Sequence, residues 1–190
     1  MRCKGSSMPF SIITDSRMTR EEALAGTTAP ASVMDLLCLI DVDYLSFEDR
    51  LHRGQLVVHE AAGPDILAIF RLMRETGFPV GRVVPIVRYG WSDDASMAAN
   101  NSSAFNYRFV AGTGRLSAHA RGMAVDINPL QNPVVYQDGR ISPPGAQYHP
   151  GEKGVLTADS AVVREFLLRG WQWGGQFSTF KDYHHFECKV

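Results

Sequence analysis

Two short stretches of this chain carry residue types that can hold a metal ion. In the first, His119 and Asp126 stand seven residues apart with Gly122 between them. An unbroken strand would put them on opposite faces, because its side chains alternate. A glycine can take the turn that returns Asp126 towards His119. The second stretch reads Asp182-Tyr183-His184-His185-Phe186-Glu187. Alternation there sets His185 and Glu187 on one face, His184 and Phe186 on the other. An imidazole and a carboxylate together suit Zn²⁺. A His₂-carboxylate set needs one more imidazole, and the second stretch offers two, His184 and His185. Three protein ligands leave zinc an open position for water, which is the catalytic arrangement rather than the structural one.

Taken singly, each of these residues is unremarkable. Their joint occurrence with Gly122 and Asp182 at fixed offsets argues against coincidence. Glu187 reads as a carboxylate that supports a ligand or the fold. His52, His59 and His149 read as ordinary structural or exposed histidines, and Trp171 and Trp173 as core aromatics. No G-x-S-x-G elbow supports a serine hydrolase, and no H-E-x-x-H supports a thermolysin-like site.

The elements that must position these residues follow from periodicity. Thr19-x-x-Glu22 resembles a capping box, so residues 20–25 read as a short helix stopped by Gly26. Residues 36–42 are an apolar run of strand length, with 55–59 as the partner. Pro64 and Asp65 open a helix with Ile66, Leu67, Phe70 and Met73 on its stripe, closed by Gly77. Residues 83–87 read as a strand and 93–103 as a loop. A strand at 123–128 is ended by Pro129. Residues 131–154 are rich in Pro and Gly without periodicity, which reads as a long binding loop or lid. Thr157 or Asp159 caps a second helix bearing Val162, Val163, Phe166 and Leu167, and a last strand lies at 184–188. Helices alternating with short strands across irregular links predict an α+β fold with a small, largely antiparallel sheet flanked by helices.

The chain has 190 residues, 45% hydrophobic and 21% charged, which suits a single globular domain. Residues 1–35 read as an N-terminal extension, partly ordered, and 36–190 as one domain. With 19 Lys+Arg against 20 Asp+Glu the net charge is −1, so no nucleic-acid partner is expected. No apolar run is long enough to span a bilayer, no secretory signal peptide is legible, and a monomer is expected. Cys38 reads as a small buried hydrophobe. A Cys3–Cys188 bridge stays open.

At these residues the sequence resembles the zinc D-alanyl-D-alanine carboxypeptidase family, which also holds L-alanyl-D-glutamate endolysins and D,D-dipeptidases. The family pattern S-x-H-x-x-G-x-A-x-D is met by Ser117, His119, Gly122, Ala124 and Asp126. Its second part, an acidic residue, two spacers and a His, is met by Asp182 and His185. Residues 103–108, Asp126-Ile127-Asn128-Pro129 and Trp171-x-Trp173-Gly174-Gly175 resemble one bacterial subgroup. The resemblance implies the small α+β arrangement shared with the hedgehog signalling domain and one Zn²⁺ per chain. It implies His119, Asp126 and His185 as metal ligands and Asp182 as the catalytic carboxylate, with Glu187 the next candidate. Arg108 resembles a catalytic, substrate-binding arginine, and Ser117 either holds the loop or touches substrate. If Arg108 fails in that role, Arg140 and Lys153 are the alternatives.

The resemblance therefore implies a zinc peptidase acting on peptidoglycan stem peptides at bonds involving D-amino acids, of the D-Ala-D-Ala carboxypeptidase type. Such a protein works at the cell wall, in the periplasm or outside the cell. The alternatives are an L-Ala–D-Glu endopeptidase and a non-catalytic zinc-binding module of the same fold.

Overall fold

The computed structural model describes residues 11–110 and 112–188. Cys3, and with it the Cys3–Cys188 bridge, lies outside the described residues. The chain enters on strand β1 (Ile13–Thr14) and helix α1 (Arg20–Ala23). The capping box is present: the Thr19 hydroxyl accepts from the Glu22 amide, and the Glu22 carboxylate accepts from the Thr19 amide at 2.8 Å. Helix α2 (Ala31–Met34) follows Pro30.

The apolar run opens strand β2 (Leu37–Leu45), which pairs antiparallel with β3 (Leu51–His59) over its whole length, and β1 joins β3 in parallel. Helix α3 (Gly63–Thr76) carries Pro64 in its first turn and is closed by Gly77, whose φ of 70° gives the left-handed cap. Its buried stripe is Ile66, Ile69, Phe70 and Met73. Leu67, expected on that stripe, is instead 43% exposed; Ile69, four before Met73, takes its place on the inner face.

Three further expectations need correction. Residues 83–87 do not form one strand: β4 (Arg82–Val83) stops and Pro85 opens a 3₁₀ turn, Ile86–Tyr89. The segment read as a loop holds helix α4 (Asp93–Ala98) and strand β5 (Asn101–Ser102). Ser92 is the helix N-cap, its hydroxyl accepting from the Ala95 amide at 3.2 Å, with Asp93 and Asp94 favourably placed in the first turn. The stretch read as a structureless loop contains a hairpin, β7 (Val134–Tyr136) with β8 (Ile141–Ser142), following β6 (Ala124–Asp126).

Helix α5 (Ala161–Leu168) is capped by Ser160 rather than Thr157 or Asp159. Strands β9 (Gln172–Trp173), β10 (Phe180–Asp182) and β11 (His185–Glu187) complete the chain. Instead of one small sheet, the described residues form three three-stranded sheets, β1-β3-β2, β10-β7-β8 and β6-β11-β9, and the pair β4-β5. Most pairings are antiparallel, and the class is α+β.

One core joins α3, α5, β2, β3 and the strands that carry the site. Phe166 of α5 stacks on Phe186 of β11, ring centroids 3.7 Å apart, so β11 is anchored by its apolar face. Trp171 and Trp173 are buried in this core, as expected, and their indoles donate to Asp65 and to the Tyr183 carbonyl. A second cluster packs Ala23, Leu24 and Ala29 against Leu37, Val57 and Phe105.

Candidate functional site

His119 and Asp126 meet as the spacing suggested. Ser117 caps a 3₁₀ turn, Ala118–Arg121, that carries His119, and Gly122 ends the turn at φ 67°. A Cβ at Gly122 would lie 2.5 Å from the His59 amide nitrogen, which itself donates to the Gly122 carbonyl at 2.9 Å. Only glycine fits both the conformation and the space. The chain then enters β6, which pairs antiparallel with β11 so that Asp126 stands opposite His185.

Three atoms converge. Nε2 of His119 lies 3.2 Å from Oδ1 of Asp126 and 3.1 Å from Nδ1 of His185, and that Nδ1 lies 3.0 Å from Oδ1. All three residues are buried. The remaining ring nitrogens are engaged elsewhere: Nδ1 of His119 with the Ala104 carbonyl, and Nε2 of His185 with Glu187 at 3.3 Å. Donation outwards leaves the inward nitrogens as lone pairs, the usual support for a metal-bound imidazole. Glu187 thus stands within hydrogen-bond distance of the His185 ring.

The electrostatics favour a cation at this focus. Burial would raise the Asp126 carboxyl, yet the facing His119 and His184 rings hold it well below the usual carboxylate range. Burial would lower His185, but hydrogen bonds to Asp126 and Glu187 push it up. Acceptor atoms gathered out of water draw positive charge to themselves. Two imidazoles and one carboxylate on one point fit a zinc-type divalent ion.

Asp182 and His184 sit beside this triad. Oδ1 of Asp182 lies 3.0 Å from Nε2 of His184 but off its N–H direction, so it accepts no aligned hydrogen bond. The expectation that His184 faces away with Phe186 is corrected. A turn at Tyr183 and His184 precedes β11, so alternation begins only at His185. His184 therefore lines the same cleft, its Nε2 4.0 Å from Oδ2 of Asp126. Burial disfavours its charged form, but the Asp182 and Asp126 carboxylates push it up to about 9.

The cleft around these groups has a volume of about 650 Å³. Arg108 and Ser117 line it. The Arg108 guanidinium is paired with Asp93 of α4 at 2.8 Å, and its Nε is buried without a hydrogen bond. The Ser117 hydroxyl accepts from the His119 amide at 3.3 Å. Arg140 and Lys153, the alternative cations, lie outside the cleft, paired with Asp138 and Asp49. Arg115 and Arg121 line it instead, as do Tyr136, Phe177 and Phe180. None of these five was expected. Arg115 and Arg121 flank the S-x-H motif in sequence, a signal that could have found them.

A buried His-Asp-His focus with a second carboxylate, Asp182, in one cleft defines the class of site as a candidate hydrolytic metal centre. Residues 111–188 match the family model described as D-alanyl-D-alanine carboxypeptidase. The segment that carries the site is thus similar to that family, and the likeness supports a peptidase. No curated protein and no solved structure matches the chain.

Proposed function

We propose that the protein is a zinc-dependent peptidase that cleaves peptidoglycan stem peptides at bonds involving D-amino acids, as a D-Ala-D-Ala carboxypeptidase. The observation that supports it most is the convergence of His119, Asp126 and His185 within one cleft that also holds Asp182. The accompanying fold reading, the arrangement shared with the hedgehog signalling domain, rests on the family resemblance.

His119, Asp126 and His185 would hold the ion. When bound, zinc supplies Lewis acidity, which lowers the pKa of a bound water from about 16 to about 7. Asp182 takes a proton from the attacking water and passes it to the leaving amine. The Arg108 guanidinium, steadied by Asp93, offers a planar fork to a substrate carboxylate or to the developing oxyanion, a geometry lysine lacks. Ser117 holds the turn that presents His119. Phe177 and Phe180 give the cleft wall apolar surface.

The test is digestion of purified peptidoglycan with the zinc-loaded protein, the products read by mass spectrometry. Release of terminal D-alanine is the expected result. Cleavage between L-Ala and D-Glu instead would make it an endopeptidase, a reading the 650 Å³ cleft also accommodates. No cleavage at full zinc occupancy would leave a non-catalytic module.

A further inference from the structure

One buried side chain beside the cleft has no task in this chemistry. His184 is 3% exposed and adjoins a proposed ligand, yet the convergent set is His119, Asp126 and His185. Its ring is held at one end and faces a carboxylate at the other. Nδ1 donates to the Asn132 carbonyl at 2.7 Å, and Nε2 lies 3.0 Å from Oδ1 of Asp182. Asn132 is itself fixed: fully buried, its amide donates to the carbonyls of Ile127, Asn128 and Gly154, and its oxygen accepts from the Leu156 amide at 2.7 Å.

Asp182 is tethered more loosely. Its backbone is registered against Val134, but a strand sets the direction of Cβ and leaves the terminal carboxylate torsion broad. Among the described residues its one ion-pair partner is His184. Hydrogen bonds at such sites are often poorly aligned before substrate arrives and tighten afterwards.

We propose that His184 is a positioning residue for Asp182: anchored through Nδ1 on Asn132, it fixes Oδ1 through Nε2 and leaves the second oxygen to take the proton. This rests on the peptidase reading above. It also gives the buried, saturated Asn132 a task, since its carbonyl anchors the ring. The hairpin segment and the proton acceptor are tied through one imidazole.

The test uses two partial mimics. In His184→Gln the amide nitrogen replaces Nε2–H, and in His184→Asn it replaces Nδ1–H. Against wild-type turnover of wall peptides, His184→Gln is expected to keep kcat within about 10-fold, while His184→Asn loses about 100-fold or more. KM should move little and zinc stoichiometry should stay full in both. A role confined to the Asn132 anchor gives the opposite ranking, and equal kcat in the two variants also overturns the proposal. Crystal structures give a readout that needs no activity: the Asp182 carboxylate should keep its orientation in His184→Gln and turn in His184→Asn. If the wild type cleaves no wall peptide, the functional reading fails while these structures still decide the positioning. Should either variant not fold, the isosteric Asp182→Asn variant decides. Its His184 Nε2 resonance should shift in ¹⁵N NMR while Nδ1 stays; an unmoved Nε2 rejects the proposal.

Discussion

In the proposed mechanism Asp182 and Arg108 act on the substrate side of the metal, and mutation can separate them from it. Asp182→Asn keeps the shape and removes the base. Its zinc content and thermal midpoint should match wild type while kcat falls about 10²–10⁴-fold; an unchanged kcat moves the base elsewhere, with Glu187 next. Arg108→Lys keeps the charge and the pairing to Asp93 but loses the fork. A fall in kcat/KM of about 10-fold or more at full zinc occupancy is expected, and wild-type kinetics would make Arg108 a rim residue. His119 and Asp126 were legible in sequence because one glycine turn brings them together, whereas the choice of His185 over His184 came from the family resemblance. The position of His184 was not legible, since it follows from where the turn at 183–184 ends. The Arg108–Asp93 pair was hidden for a different reason. It requires α4, whose only sequence signals are Ser92 and two acidic residues.

Gly122 links the turn to the β6–β11 pair, and its replacement tests that element. In Gly122→Ala the new Cβ meets the His59 amide at 2.5 Å and Leu37 Cδ2 at 2.7 Å, at a φ of 67° that costs an alanine about 1–2 kcal/mol alone. A loss of roughly 3–5 kcal/mol in urea unfolding is expected once the clash is added, together with weakened zinc binding. Wild-type stability in that variant would show that the turn does not set the site. The elements read correctly were those with long, regular periodicity: α3, α5 and the β2–β3 pair. The hairpin at β7–β8 was missed because its strands are only three and two residues long. Its order comes from Asn132 and from pairing with β10, contacts distant in sequence.

At the scale of the whole molecule, residues 11–35 of the segment read as an extension pack against the rest. Asp15 accepts from the Tyr44 hydroxyl and contacts His52, Arg20 donates to the Leu37 carbonyl at 3.0 Å, and Ala23, Leu24 and Ala29 cover Leu37, Val57 and Phe105. Phe105 in turn lies three residues before Arg108. Removing residues 1–35 should therefore cost about 3–5 kcal/mol of stability by urea unfolding, from the apolar area re-exposed; an unchanged unfolding curve would mark the segment as dispensable. The α+β class was legible from the mixture of periodicities. The division into several small sheets was not, because strand pairing between distant segments leaves no local pattern.

The proposed function requires one zinc ion at the point where His119, Asp126 and His185 converge. Anomalous diffraction at the zinc edge from crystals of the full chain tests it most directly. One strong peak per chain is expected, in contact with Nε2 of His119, Oδ1 of Asp126 and Nδ1 of His185. A peak held by other residues, or none from crystals grown in saturating zinc, would contradict the account.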